Sequence, residues 1–276
     1  MALDHDVTLL IPHFQTLDAV RLCLRAIRRY TEPLPRILVL DNGSSDASID
    51  YLRELRWIEC VETRVPNDIV AAQAAALDLG VARVETAFFA VLHSDTYVHR
   101  RGWLAALTGL LARGAYAAVG SRHQTIRAHD WRALARLATW SARLLSAPRR
   151  SAMSGGLPRL RSCLTLYRSD AFRAAGCRFA SSGDEDATHS ANARLIAYGG
   201  RLLALPAGLV GYYVFHKGDT TRIANRLYRP DDVEFRARIA RHQRHVGRFR
   251  ARPAVQALLA DASLDRYRPL PAGVES

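Results

Sequence analysis

Thr86-Ala-Phe-Phe-Ala-Val-Leu-His-Ser-Asp-Thr-Tyr-Val98 decides the fold. The apolar run Ala87 to Leu92 stops abruptly at His93, Ser94 and Asp95. A run this short and this rich in large side chains predicts a strand buried on both faces, as in parallel sheets. In open α/β sheets, ligands gather at the carboxyl ends of such strands. His93 and Asp95, two positions apart in extended chain, point the same way and can share one cation. The structural alternative is that Asp95 caps a turn and His93 is a satisfied strand-end histidine.

Towards the N-terminus the pattern repeats. Val7 to Ile11 predicts a strand stopped by Pro12, and Leu17 to Tyr30 carries Leu17, Val20, Leu24 and Ile27 at helical spacing. Ile37 to Leu40 predicts a second strand, ending in Asp41-Asn-Gly-Ser-Ser-Asp46 and followed by a short helix through Leu55. Those loop residues all favour tight turns or helix caps, so an ordinary β-to-α loop is the competing reading. Trp57 to Val61 predicts a third strand, and an alanine-rich helix runs from Ile69 to Leu79 with Gly80 as its stop. Three strand-helix units and a fourth strand predict a doubly wound, mostly parallel α/β sheet flanked by helices. No Gly-x-Gly-x-x-Gly and no Gly-x-x-x-x-Gly-Lys-Ser/Thr is present, which disfavours a Rossmann dehydrogenase and a P-loop enzyme.

Towards the C-terminus, Trp103 to Arg113 predicts a helix and Ala117 to Arg122 a strand. His129 to Arg150 interleaves arginines with Trp131, Leu134, Leu137, Trp140 and Leu144, a basic amphipathic helix whose plainest role is packing on the core. Ser154 to Pro158 is a glycine-containing loop. Arg161 to Tyr167 predicts a strand, and Ser169 opens a short helix. Ser182-Gly-Asp-Glu-Asp186 precedes a helix ending at Gly199-Gly200; three adjacent carboxylates there read either as an acidic N-cap or as acid/base machinery. Leu202 to Leu205 and Leu209 to Phe215 predict two strands around Pro206-Ala-Gly208, the second ending in His216-Lys217. Helices are expected over Asp231 to Phe249 and Ala254 to Leu259, in a basic C-terminal stretch.

Lys plus Arg exceed Asp plus Glu by 39 − 26 = 13, so polyanions or an anionic membrane surface are natural neighbours. No nucleic-acid-binding motif accompanies the charge, and no nucleic acid partner is expected. Cys23, Cys60, Cys163 and Cys177 lack metal-ligand spacing and read as reduced thiols. No signal peptide or membrane span is visible, so a cytoplasmic chain touching a membrane only from its surface, through its basic helices, is the expectation.

These motifs together resemble glycosyltransferase family 2, the inverting nucleotide-sugar transferases with the fold called GT-A. Ile11-Pro12-His13-Phe14-Gln15 is similar to the family's Pro-x-Tyr-Asn opening, and Asp41 through Asp46 matches its Asp-Asn/Asp-Gly-Ser-x-Asp loop. Asn67 occupies the place of the next nucleotide-proximal motif, and His93-Ser94-Asp95 stands where the Asp-x-Asp metal motif belongs. The resemblance implies a donor site containing Pro12, Phe14, Asp41, Asn42, Ser44, Asp46 and Asn67, with Asp41 accepting the imide N–H of a uracil or thymine ring. It implies a divalent cation, Mn²⁺ or Mg²⁺, held by Asp95, His93 and His216, with Ser94 and Lys217 near the diphosphate. Histidine in place of the first aspartate tilts the choice towards Mn²⁺. Glu185-Asp186 looks like the pair that holds the general base, Asp186 first and Glu185 second.

The resulting expectation is a GT-A-type domain over 1–227, with a nucleotide-sugar half at 1–122 and an acceptor half at 123–227, followed by a basic helical extension at 228–276. It would move a sugar from a UDP or dTDP donor to a hydroxyl acceptor, with a lipid-linked or cell-surface glycan the weak preference. A homodimer contact through the extension is compatible with this. The alternatives are a sugar-phosphate nucleotidyltransferase, whose glycine-rich basic loop is missing after the first strand, and a degenerate GT-A protein acting as a binding or membrane-surface module.

Overall fold

The computed structural model describes residues 6–63, 69–113, 115–127, 159–179, 186–218, 220–225 and 233–266. Asn67, Glu185, the whole basic segment at 129–150 and the loop at 154–158 lie outside the described residues. The first unit is β1 (Val7–His13), α1 (Leu17–Tyr30) and β2 (Arg36–Asp41), followed by α2 (Ser48–Glu54), β3 (Glu59–Glu62) and α3 (Ile69–Val81). Next come β4 (Phe88–Leu92), β5 (Thr96–Val98), α4 (Trp103–Arg113) and β6 (Tyr116–Ser121). The later part holds β7 (Leu164–Arg168), α5 (Ser169–Ala174), α6 (His189–Ala197), β8 (Arg201–Leu205), α7 (Ala207–Val210) and β9 (Val214–His216). It ends with α8 (Thr220–Ala224), α9 (Val233–Arg250), α10 (Pro253–Ala260) and a 3₁₀ turn at Ala262–Asp265.

Seven strands form one sheet in the order β3-β2-β1-β4-β7-β6-β8, and β5 pairs with β9 in a separate two-stranded ribbon. The large sheet is mostly parallel; β7 runs antiparallel between β4 and β6. Strand alternation sends Val7, Leu9, Ile11, Phe88, Ala90 and Leu92 into one helical layer. It sends Leu10, Leu38, Leu40, Phe89 and Val91 into the other. Both faces are therefore covered, and β1, β2 and β4 read as continuous apolar runs for that reason.

Several expectations change in detail. Gly80 does not stop α3, which continues to Val81. A Cβ there would come within 2.9 Å of Leu40 and 3.1 Å of Leu10, so this glycine lets the helix lie close against the sheet. The apolar stretch after Pro206 is not one strand: Ala207–Val210 forms a helical turn, and only Val214–His216 is extended. The third strand begins at Glu59, not Trp57. No helix among the described residues is long and apolar enough to cross a membrane.

Candidate active site

Two loops at the carboxyl ends of β1 and β2 are laced into one unit. Register pairs His13 with Asp41. Asp41, 1% exposed, accepts hydrogen bonds from the Gly43 and Ser44 amides at Oδ2 and from the Ser44 hydroxyl at Oδ1. Ser44 Oγ in turn accepts the Gln15 amide at 2.7 Å, and Asp46 Oδ2 accepts the Leu17 amide at 3.3 Å. The Ser48 hydroxyl and amide, with the Leu17 amide, hold the Asp46 carboxyl below its ordinary value against the burial that would raise it. The crossing is tight: Gln15 and Thr16 both have positive φ, 49° and 77°, a strained backbone for residues with side chains. Pro12 and Phe14 flank this crossing, half-buried, and Asn42 shares its side-chain oxygen with Thr63 Oγ1 at 3.1 Å. Asp41 thus spends most of its hydrogen-bonding capacity shaping its own loop.

The second cluster forms where β4 and β9 end. His93, Asp95 and His216 each offer one ligand atom, and those atoms lie within 4.8 Å of one another. Asp95 comes from the turn after β4 and His216 from the end of β9; β5 and β9 bring them together, because Thr96 and His216 are antiparallel partners. His216 Nε2 lies 3.0 Å from Asp95 Oδ1, and His93 Nδ1 lies 3.9 Å from the same oxygen. Burial opposes charge at both Asp95 and His216. Their mutual attraction outweighs it, so the carboxyl is held well below the usual range and the imidazole is raised well above 6.5. Burial, aided by neighbouring His216, pushes His93 down to about 4.

The surroundings fit a cation. His216 Nδ1–H donates to the Gln124 carbonyl, which turns Nε2 towards Asp95. His93 Nε2 sits 2.9 Å from the Gln73 amide on α3 and 2.7 Å from Ser162 Oγ. A tautomer with the lone pair on Nδ1, facing Asp95, has Nε2–H donating to Ser162 and needs only a half-turn of the Gln73 amide. Two imidazoles and one carboxylate suit a borderline ion such as Mn²⁺ better than Mg²⁺.

Ser162 joins this cluster to the third feature. Its hydroxyl donates to Asp186 Oδ2 at 3.1 Å and its amide to Asp186 Oδ1 at 3.2 Å. Asp186 Oδ1 also accepts the Thr188 amide at 3.0 Å and the Thr188 hydroxyl at 2.6 Å. His189 N donates to the Asp186 carbonyl in the turn that leads into α6, whose N-cap residue is Thr188. The N-cap expected in the acidic cluster thus falls on Thr188, and the Asp186 side chain braces the turn before it. Lys217 follows the cluster directly; His245 is lowered first by burial and then by the charges of Arg127 and Lys217, which places the Lys217 charge towards α9. Ser94, 5% exposed, is buried between the two ligand positions of the turn.

The structure brings His93, Asp95, His216 and Asp186 into one connected network. The Asp41–Asp46 loop forms a second unit on the same edge of the sheet. Ser162, Gln73, Gln124 and Thr188 have no role in the sequence reading. Gln73 left one trace, as the single amide in an alanine-rich helix; Ser162 in Arg161-Ser162-Cys163 left none.

A mannosyltransferase from Pyrobaculum calidifontis, PcManGT, in complex with GDP-Man and Mn²⁺, is 19% identical, with a TM-score of 0.56 over 94% of this chain and 69% of that one. S. aureus TarS, residues 1–349, is 12% identical, with a TM-score of 0.52 over 78% of this chain and 61% of that fragment. The same fragment in complex with UDP gives 11% identity and a TM-score of 0.51 over 72% of this chain and 57% of that one. No curated protein sequence matches the chain. The mostly parallel sheet and its neighbours define a GT-A glycosyltransferase fold. A family model described as glycosyl transferase family 2 matches residues 8–176, more than half of the chain, and the chain belongs to that family.

Proposed function

We propose that this protein transfers a sugar, with inversion, from a nucleoside diphosphate donor to a hydroxyl acceptor, using a divalent cation held by His93, Asp95 and His216. The observation that carries this reading is the connected path from that cluster through Ser162 to Asp186. The cation, when bound, neutralises the diphosphate as it leaves. Asp186 takes the acceptor proton at Oδ2: Oδ1 already receives three hydrogen bonds, whereas Oδ2 receives mainly Ser162 Oγ and keeps lone-pair capacity. Glu185 is the alternative base. The laced loops at Gln15 and Asp41–Asp46 hold the nucleoside, with UDP or dTDP preferred and Asp41 or neighbouring Asn42 reading the base edge. A lipid-linked or cell-surface glycan acceptor and peripheral membrane contact through α9 fit the chain's basic excess.

The test is calorimetric titration with UDP, dTDP, GDP and CDP, each with Mn²⁺, with Mg²⁺ and with chelator. Tight binding of one diphosphate, lost with chelator and in Asp95→Ala, supports the donor site and names its nucleotide. With the donor in hand, Asp186→Asn should keep donor binding and lose most transfer; wild-type transfer by that variant would move the base to Glu185. Absence of binding under every condition would replace the enzyme with a degenerate binding module.

A further inference from the structure

A cleft of about 460 Å³ opens at the other end of the β5–β9 ribbon from the His93–Asp95–His216 cluster. The His99 amide donates to the Tyr213 carbonyl at 2.9 Å, which extends the ribbon by one rung into the cleft. Four extended residues separate Asp95 from His99, roughly 13 Å at the usual rise per residue. The end of α1 contributes Arg29 and Tyr30 to the wall, and Arg100, Arg101 and Tyr212 complete it.

The charge there is unbalanced. Arg101 engages Glu32 at 2.8 Å, in an exposed pair of little strength. Arg100 lays its guanidinium over the Tyr212 ring, 4.4 Å from the centroid, which occupies the flat face and leaves the donor edge. Its Nε is buried and has no hydrogen-bond partner among the described residues. A guanidinium edge held in place by stacking calls for an acceptor with several oxygens. His99 does not supply one: its Nε2–H goes to the Gly211 carbonyl at 3.2 Å, and burial holds the ring neutral, at about 4. With two further arginines and tyrosine hydroxyls nearby, the donors outnumber what one carboxylate accepts, and a phosphate matches them better. The volume lies within the range of small-molecule sites, about 300–1,000 Å³.

We propose that this cleft binds a phosphate group, from a lipid head group or a soluble phosphorylated sugar or polyol, through Arg29 and Arg100, separately from the nucleotide site. The inference does not depend on the transferase reading, because it is tested with the cation cluster stripped. The full chain in EDTA is titrated with glycerol 3-phosphate by calorimetry. In parallel it is co-sedimented with phosphatidylcholine vesicles, with and without phosphatidylglycerol. Arg100→Gln and Arg29→Gln are each expected to weaken binding by about tenfold. Both should leave Mn²⁺-dependent nucleotide binding unchanged. Binding of glycerol 3-phosphate that falls in the variants assigns a soluble ligand; vesicle binding alone that falls in the variants assigns a lipid. Arg29 is exposed, so its variant decides the matter even if Arg100→Gln folds poorly. Failure of the wild type to bind either probe overturns the proposal. So does vesicle binding that survives both substitutions, which would place the contact on α9.

Discussion

In the proposed cation site, Ser162, and Gln73 once its amide has turned its oxygen to the ring, would do for His93 what the Gln124 carbonyl does for His216: fix which ring nitrogen faces the cation. Gln73→Leu or Ser162→Ala should therefore weaken Mn²⁺ binding by about 10–100-fold, as measured by calorimetry, while circular dichroism stays native. His93, Asp95 and His216 were legible in the sequence because each ends an apolar run. Gln73 and Ser162 were not, because their role exists only after α3 and the start of β7 converge on one imidazole. His13 makes a second residue-scale point. Burial pushes it down to about 4 against the pull of Asp41 and Asp46, whereas the unfolded chain protonates near 6.5. The His13 contribution to folding stability should be level above about pH 6.5 and should fall by up to about 3 kcal/mol as pH drops towards 4, because the unfolded state then binds the extra proton. Urea midpoints of wild type and His13→Gln between pH 7 and pH 4.5 check this, with a shallower slope expected in the variant.

The boundaries of α1 and α4 could be read from the sequence because their apolar stripes are regular. The turn after Pro206 could not, because apolar content alone does not separate a strand from a buried helical turn. Arg25 lies off the apolar stripe of α1 that Leu17, Val20, Leu24 and Ile27 mark. It is 5% exposed and donates to Asp265 through Nε at 2.9 Å, and to the carbonyls of Leu258 and Leu259 at the end of α10. Tyr51 shares Asp265 at 2.9 Å. The C-terminal helices are thus fastened to the core by a part-buried pair that no local pattern announces. Phe249 of α9 adds an aromatic stack, 4.0 Å from the Phe215 centroid and 5.5 Å from Tyr97. Phe249→Ala should cost about 3–5 kcal/mol in chemical denaturation. Arg25→Met should cost less, about 1–3 kcal/mol, by leaving the part-exposed Asp265 without its main partner.

At the scale of the molecule, the sheet is a scaffold whose one antiparallel strand, β7, lies beside β4, so that Ser162 enters next to His93. The fold class was legible from the repeated strand-helix units. The insertion of β7 was not, because strand order depends on long-range pairing. A cation joining His93 and Asp95 to His216 ties two distant parts of the chain, so it should raise stability by mass action. Mn²⁺ at a hundredfold excess over its Kd should add about 2.7 kcal/mol, seen as a higher Tm that Asp95→Ala abolishes.

The rung between Thr96 and His216 also has a meaning for the growing chain. A ribosome delivers the first two members of the proposed cation site long before the third, and the segment matched by the family model, residues 8–176, holds His93 and Asp95 without His216. The N-terminal sheet strands can pair during synthesis while the cation centre is still half made. On the proposed cation site, capture of the metal would mark completion: only a chain translated past residue 216 and closed on itself would hold the ion, and truncated products would be metal-poor.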